Sequence, residues 1–159
     1  MPEKKKNGDD TVIVLHNIRS VYNVGSIFRT ADAAGVSKIF LTGYTPIPVD
    51  RFGRVRKDLS KVALGAEKTV PWEFCRDIGI CLRVLQKKDV RVVAVEQDAR
   101  AVDFRKLSRG GRNAFVFGNE VRGLSPAVLS KTDSIVEIPM HGTKESLNVS
   151  VAVGIILFC

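Results

Sequence analysis

The chain has 159 residues, of which 45% are hydrophobic and 26% are charged, and its formal net charge at pH 7 is +8. This length is typical of one globular domain with a buried core, and the positive charge is compatible with a polyanionic partner such as a nucleic acid. No apolar stretch reaches the roughly 18–20 residues that a membrane-spanning helix needs, and no apolar segment follows the basic N-terminus as in a signal peptide. We therefore expect no membrane association, a flexible basic tail at residues 1–10 and one domain at residues 11–159.

Cysteine and histidine usage limits the metal and redox chemistry. The three cysteines are Cys75, Cys81 and Cys159, and the two histidines are His16 and His141. None of them forms a pair at metal-ligand spacing, and an odd number of cysteines does not suit a disulfide framework. Reduced thiols are typical of the cytoplasm. We expect a cytoplasmic protein without a metal site.

In chain order, the first half of the sequence predicts a strand at 11–15, a polar loop at 16–22, a helix at 23–34 that Gly35 ends, a strand at 36–41, a loop at 43–57 and a short helix at 58–66. The second half predicts at most a weak strand at 69–71, an amphipathic helix at 73–88, strands at 90–95, 114–117 and 135–138, a short helix at 125–130, and an apolar helix from Ser146 to the C-terminus. Because the strands are apolar throughout, the pattern favours a mostly parallel sheet with helices on both faces, an α/β fold.

Three polar segments follow predicted strands, which is where open α/β sheets bind ligands. The first contains Asn23 and Arg29. Asn23 suits either a helix N-cap or a functional role. Arg29 lies among apolar neighbours, and its planar guanidinium suits a phosphate or carboxylate, with a surface salt bridge as the alternative.

The second and third segments likewise suit either a structural or a functional role. In the second, two glycines bracket Glu120, which suits either a tight turn or the close approach of a ligand. In the third, Ser146 precedes an apolar helix, as an N-cap or as part of a backbone-lined pocket. The sequence contains neither GxGxxG nor GxxxxGK[ST], so a nucleotide-dependent oxidoreductase on a Rossmann sheet is remote.

Together the three segments resemble the three motifs of the SpoU (TrmH) branch of the SPOUT RNA methyltransferases. The matching residues are Asn23, Gly25 and Arg29, then Gly118, Asn119, Glu120 and Gly123, and finally Ser146, Leu147 and Asn148. The likeness covers residues 11–159. It implies a homodimeric enzyme that transfers a methyl group from S-adenosyl-L-methionine to a ribose 2′-hydroxyl of RNA, with a deep trefoil knot in its C-terminal third.

The resemblance also implies roles for individual residues. The catalytic residues would be Arg29, Asn23, Glu120, Ser146 and Asn148, in a site built from both chains of the dimer. The cofactor-binding residues would be Gly118, Glu120, Ile138, Met140, Ser146 and Leu147. Because arginine does not lose its proton in proteins, we expect Arg29 to bind the adjacent phosphate and stabilise the developing alkoxide. The helix of residues 23–34 would pack with the C-terminal helix.

Two clusters of basic residues are candidates for RNA contacts, with a solvated basic surface as the alternative. The first comprises Arg51, Arg54, Arg56, Lys57 and Lys61, and the second comprises Arg105, Lys106, Arg109 and Arg112. Phe52 and Tyr44 are placed to stack on unpaired bases, whereas Trp72 is expected in the core. The minimal domain favours tRNA as the substrate by the resemblance. The alternatives are rRNA methylation and a non-catalytic RNA-binding module on the same fold.

Overall fold

The computed structural model describes residues 9–159, so the tail expected at residues 1–10 lies outside the described residues except for Asp9 and Asp10. Within that range, seven strands form one sheet. They are β1 (Asp10–His16), β2 (Lys38–Thr42), β3 (Trp72–Cys75), β4 (Arg91–Val95), β5 (Val102–Asp103), β6 (Arg112–Phe117) and β7 (Ser134–Glu137). Their order is β3-β2-β1-β6-β4-β7-β5, and every neighbouring pair is parallel. All carboxyl ends therefore lie at one edge of the sheet.

Helices cover both faces of this sheet, as the sequence predicts. They are α1 (Val21–Ala34), α2 (Lys57–Ala63), α3 (Ala66–Thr69), α4 (Ile78–Lys87), α5 (Pro126–Leu129) and α6 (Val149–Phe158). Ile13 and Leu15 of β1 point into the core beneath α1, α2, α3 and α6. Val12 and Val14 alternate to the opposite face and pack beneath α4 and α5. The α/β fold with a parallel sheet is confirmed.

The predicted first helix is confirmed, but its N-cap is not Asn23. The hydroxyl of Ser20 accepts a hydrogen bond from the Asn23 backbone, and the helix begins at Val21. Gly35 ends the helix in the left-handed conformation with φ of 68°. Since Ser20 caps the helix, the side chain of Asn23 is free for contacts elsewhere.

The helix predicted at 73–88 is wrong in its first five residues. Residues 72–75 form β3, and α4 begins only after Asp77, which caps it by accepting from the Ile80 backbone. The spacing from Phe74 to Ile78 resembles a helix, although Phe74 lies on an edge strand with 44% of its surface exposed. The strand for which residues 69–71 gave a weak signal therefore begins three residues later, at Trp72.

Two more predicted helices have different bounds in the structure. The helix predicted at 58–66 is two helices, because Leu64 leaves the helical conformation with φ of 54°. The C-terminal helix begins at Val149, and its N-cap is Asn148, whose side chain accepts from the Ser150 backbone at 2.8 Å. Ser146 is therefore not a cap.

The strand β7 lies between β4 and β5, and we refer to the connection of those two strands, residues 96–101, as the arch. The strand pairs with β4 on one side and with β5 on the other, while residues 96–101 alone connect β4 to β5. The Glu96 backbone donates to the carbonyl of Val136, and Gln97 Nε2 donates to the carbonyl of Ile138 at 2.8 Å. The arch is thus hydrogen-bonded to β7 and to the residue that directly follows it. No helix in residues 9–159 is both long and apolar enough to cross a membrane.

Candidate functional site

A cleft lies beyond the carboxyl ends of β6, β4 and β7. It consists of two adjoining hollows, open to solvent, with empty volumes of about 400 Å³ and about 540 Å³. Both hollows are lined by Val95, Glu96, Ser146, Leu147 and Ala152. The first also has Gln97, Ile138 and Met140, and the second has Phe117, Gly118, Asn119, Glu120, Val121, Gly123 and Val149. All six sequence-predicted cofactor positions therefore line this cleft.

Two glycines fold the loop after β6 tightly against the cleft. Gly123 has a φ of 63°, and its backbone donates to the Asn119 carbonyl at 2.9 Å. A Cβ atom on Gly118 would lie 2.5 Å from the carbonyl carbon of Gly123, so a side chain there would force the loop apart. The Glu96 carboxylate accepts from the Leu124 backbone at 2.8 Å and packs on Gly123. The two glycines therefore allow the main chain of the loop to come close to the cleft.

Glu120 ties this loop to the start of α1. Its carboxylate accepts from the backbone of Arg19 at 3.0 Å, from the backbone of Ser20 at 3.0 Å and from Asn23 Nδ2 at 3.2 Å. Partial burial favours the neutral acid, but the three hydrogen bonds outweigh it and hold the pKa of Glu120 below its ordinary value. The negative charge also lies at the positive end of the helix dipole.

Asn23 continues the connection to the third segment. It is 6% exposed, and its Oδ1 accepts from Asn148 Nδ2 at 3.2 Å. Asn148 in turn caps α6. Glu120, Asn23 and Asn148 form a polar chain that joins all three predicted motifs, and Ser146 lies beside it on the wall of the cleft.

Arg29 is not part of this arrangement within one chain. It is exposed on α1, six residues beyond Asn23 and therefore roughly 120° around the helix from it. Its side chain forms no hydrogen bond or ion pair with residues 9–159. One chain thus brings Asn23, Glu120, Ser146 and Asn148 together and leaves Arg29 on the outside.

An open side cleft adjoins the larger hollow. It is lined by Arg19, Tyr44, Asn119, Val121 and Arg122. The amide of Asn119 donates to the Tyr44 hydroxyl at 3.0 Å and to the Asn17 carbonyl at 2.9 Å, and Asn17 Oδ1 accepts from the Tyr44 backbone. These hydrogen bonds hold in place the wall of the side cleft that contains Arg19 and Arg122.

Sequence reasoning missed Glu96, Gln97 and the side cleft. Glu96 and Gln97 directly follow β4, a strand that was predicted at nearly the correct bounds. The rule that ligands lie beyond the carboxyl ends of parallel strands would have pointed to both. Tyr44 follows β2 in the same way, and it was considered only for base stacking.

The two basic clusters occupy different places. Arg51, Arg54, Arg56 and Lys57 follow β2 at the same edge of the sheet as the cleft. Arg105 pairs with Asp103 beyond β5.

The rest of the second cluster lies elsewhere. Arg109 donates to the carbonyl of Ile156 at 2.6 Å, and Arg112 donates to the carbonyl of Lys88 at 2.8 Å. Arg112 starts β6, which places it about 16 Å from the cleft at the far edge of the sheet. The second cluster is therefore not one surface.

Metal ligands are not grouped in this part of the chain. Among residues 9–159, no three His, Cys, Asp or Glu side chains are clustered so that they could hold a metal ion. His16 instead bonds through Nδ1 to Thr42 Oγ1 at 2.9 Å, and burial lowers the pKa of its imidazole.

Comparison with known proteins gives consistent matches over the described domain. The SpoU rRNA Methylase family model matches residues 10–158. The 23S rRNA (guanosine-2′-O-)-methyltransferase RlmB of Ralstonia nicotianae is 36% identical over 155 residues, which are 95% of this chain and 58% of that protein. The chain therefore spans little more than half the length of this curated relative.

Solved structures also match nearly the whole chain. An AdoMet-bound rRNA methyltransferase from Sinorhizobium meliloti has a TM-score of 0.84 at 30% identity, over 95% of this chain and 55% of the other. The TrmH/SpoU tRNA modifying enzyme of A. aeolicus has a TM-score of 0.81 at 29% identity, over 94% of this chain and 73% of the other.

Proposed function

Because the chain belongs to the SpoU rRNA methylase family, we propose that it transfers the methyl group of S-adenosyl-L-methionine to a ribose 2′-hydroxyl of an RNA. The observation that carries the proposal is the convergence of all three motif segments on one cleft, with Glu120, Asn23 and Asn148 bonded to one another at its wall.

The lining of the cleft fits this cofactor. Val95, Leu147 and Met140 offer apolar surface, and the loop after β6 offers exposed main chain for polar groups. Two carboxylates, Glu96 and Glu120, line the same space and complement the positive charge of a sulfonium. Gly118, Ile138, Met140, Ser146 and Leu147 would hold the cofactor, as the motifs predict.

When bound, the cofactor supplies an electrophilic methyl group, so the protein has to position the ribose oxygen and accommodate its proton. The Ser146 hydroxyl lies at the cleft and would bond to the ribose oxygen. Asn23 and Asn148 hold the start of α6, on which the cleft wall depends, and Glu120 fixes the loop opposite. Arg29 would hold the neighbouring phosphate and stabilise the developing alkoxide.

Arg29 can take that role only if it comes from a second copy of the chain. α6 exposes Val151 by 49% and Phe158 by 62%, and these lie seven residues apart on one side of the helix. Tyr22 and Arg29 have the same relation on α1, which packs against α6, and Tyr22 is 66% exposed. A homodimer across these two helices would bury the apolar side chains and carry Arg29 toward the partner's cleft.

The dimer has a direct test in solution. Val151→Asp places a charge in the proposed interface, and sedimentation should change from dimer to monomer with loss of methyl transfer. Wild-type protein that sediments as a monomer while active would refute the shared site.

The trefoil knot implied by the motifs belongs to the same proposal. Its support is the arch of residues 96–101, which connects the two neighbours of β7 and is hydrogen-bonded to Val136 and Ile138 at the end of that strand. We propose that the segment beyond β7 is threaded through this arch and that the knot forms the cofactor cleft.

The first RNA to test is ribosomal, since the curated relative described above is a 23S rRNA methyltransferase. This reverses the preference for tRNA in the sequence prediction. Transfer RNA is the second candidate, because a tRNA modifying enzyme is also among the similar structures.

The decisive measurement is incubation of the protein with labelled S-adenosyl-L-methionine and either rRNA or tRNA, followed by mass spectrometry of the nucleosides. We expect one 2′-O-methylated nucleoside from rRNA. A label on a base, or none in either RNA, would refute the proposal. Calorimetry without RNA separates the alternative of a non-catalytic module, which need not bind the cofactor.

A further inference from the structure

The loop after β2 contains a hairpin that is built more firmly than a solvated surface requires. Val49 and Val55 form an antiparallel bridge, and the Asp50 backbone donates to the Arg54 carbonyl at 2.8 Å. The tip turns at Gly53, whose φ is 77° and whose backbone donates to the Asp50 carbonyl at 2.9 Å. We refer to residues 49–55 as the Phe52 hairpin.

The carboxylate of Asp50 fixes the tip from inside. Its Oδ1 accepts from the backbone of Phe52 at 2.8 Å and of Arg54 at 3.0 Å, and its Oδ2 accepts from Arg54 Nε at 2.8 Å. These bonds hold the pKa of Asp50 below its ordinary value. The tip is therefore ordered before any partner binds.

The ring presented by this tip is not part of the hydrophobic core of residues 9–159. Phe52 is 66% exposed, and the guanidinium carbons of Arg51 and Arg54 lie 4.8 Å and 5.0 Å from its ring centroid. Both contacts are within cation–π range. An aromatic face with two adjacent guanidinium groups matches the chemistry of a nucleotide, with a flat base and a charged phosphate.

We propose that Phe52 stacks on an unpaired RNA base near the target nucleotide, while Arg51 and Arg54 contact the adjoining phosphates. The inference rests on the proposed function, since it assigns a part of the same RNA. Charge favours RNA over a protein partner, because four basic and two acidic residues lie between 50 and 58.

The position of the hairpin agrees with this assignment. It follows β2, and β2 is separated from β6 by β1 alone, so the two strand ends are about 10 Å apart at the edge that carries the cleft. The side cleft, with Arg19, Tyr44 and Arg122, adjoins the larger hollow at the same edge. We therefore expect a single strand bound at the cleft to extend past these arginines toward the hairpin.

The test compares three substitutions by fluorescence anisotropy with a single-stranded oligouridylate and with the same strand annealed to its complement. Phe52→Ala should weaken binding to the single strand by about 5- to 100-fold, as expected for loss of one stacked base. Phe52→Trp should preserve the affinity, and Phe52→Leu, which is apolar but not aromatic, should lose it as Ala does. Binding to the duplex should not change, because its bases are already stacked.

Two further readouts separate stacking from charge and from a failed fold. The salt dependence of binding should be unchanged in Phe52→Ala, whereas Arg51→Ala should reduce its slope by about 0.7 for each lost phosphate contact. Affinity for S-adenosyl-L-methionine alone should equal that of the wild type in every variant.

Several outcomes would overturn the inference. They are wild-type affinity in Phe52→Ala, full rescue by Phe52→Leu, or an equal loss on the duplex. A change of oligomeric state in Phe52→Ala would place a second copy on the hairpin instead. If wild-type protein methylates RNA and Phe52→Ala does so with equal efficiency, the hairpin assignment fails while the proposed function stands.

Discussion

Asn23 is the residue at which three distant parts of the sequence meet. Its amide donates to Glu120 and its oxygen accepts from Asn148, so both ends of one side chain are used. An aspartate or leucine at this position would lose at least one of the two bonds. This explains why a helical residue that is not a cap is nevertheless an asparagine.

Substitution of Arg29 tests whether methyl transfer can be lost while cofactor binding is kept. Arg29→Ala should lower turnover by about 100-fold or more while leaving affinity for S-adenosyl-L-methionine unchanged, because the side chain is exposed and remote from its own cleft. Single-turnover methylation and calorimetry measure the two effects. Arg29→Lys keeps the charge but not the planar fork, and it should recover only part of the rate. Loss of cofactor affinity in Arg29→Ala would contradict the assignment.

Glu120 makes folding stability depend on pH. Its pKa lies below its ordinary value of 4.5 in the folded chain, so its contribution is present above that pH and is lost as the pH falls through the lowered value. Glu120→Gln should reduce the free energy of unfolding at pH 7 by about 1–3 kcal/mol, since the backbone donors of Arg19 and Ser20 lose their charged acceptor.

Urea unfolding between pH 3 and pH 7 provides the measurement, and the variant should lose less stability on acidification than the wild type does. Glu73→Gln is the matched control, because that exposed carboxylate forms only a surface pair with Lys38, worth at most about 1 kcal/mol. Equal effects of the two substitutions would remove the special role of Glu120.

At the level of elements, α1 packs on α2 through a glycine. A Cβ on Gly25 would lie 2.9 Å from the backbone oxygen of Leu59 and 2.9 Å from Val62 Cβ, and the backbone cannot move aside cheaply. Gly25→Ala should therefore destabilise the fold by about 1–3 kcal/mol, against the preference of a free helix for alanine.

Gly154 in α6 is the matched control for that substitution. A Cβ there would meet only Thr30 Cγ2, at 3.9 Å, which is ordinary contact. Gly154→Ala should be neutral or stabilise by up to about 1 kcal/mol. Thermal unfolding of both variants measures the two effects. A Gly25→Ala protein as stable as the wild type would mean that α1 and α2 can move apart without a loss of stability.

A helix or strand can be predicted from the sequence when the residues that determine it are neighbours in the chain. The strand β1 and the helix that ends at Gly35 have apolar spacing and caps that can be read from neighbouring residues. The strand β3 could not be recognised, because its Phe74 continues the helical spacing of α4 across a turn. β5 has only two residues, and its pairing with β7 depends on the arch rather than on its own sequence.

The candidate site was predictable for a different reason. The three motifs identify the family, and the match to residues 10–158 confirms that resemblance. The hydrogen bonds that join Glu120, Asn23 and Asn148 could not be predicted in the same way, because they depend on side-chain positions in three segments that are far apart in the sequence.

For the molecule as a whole, the arginines at the two edges of the sheet have different surroundings. The carboxyl edge carries the cleft and the Phe52 hairpin, while Arg109 at the other edge holds the end of α6 through the carbonyl of Ile156 and lies 5.9 Å from the Phe115 ring. Arginine side chains of equal charge should therefore respond differently to substitution.

Arg109→Ala should lower the free energy of unfolding by about 1–3 kcal/mol, because a buried carbonyl loses its donor, and it should leave RNA affinity unchanged. Lys57→Ala at the carboxyl edge should do the reverse, with weaker RNA binding at every sequence and no loss of stability. Filter binding over a salt series and urea unfolding measure both. A fall in RNA affinity for Arg109→Ala would extend the interface to the far edge.

The contact between Asn23 and Asn148 spans 125 positions of the chain, and that between Ser20 and Glu120 spans 100. Bringing such distant residues together costs more loop-closure entropy than any local turn does, so these bonds form late in folding. During synthesis, Ser20 and Asn23 are made long before Glu120 and Asn148, with which they form hydrogen bonds. The polar chain of Glu120, Asn23 and Asn148 can therefore be completed only after Asn148 has left the ribosome.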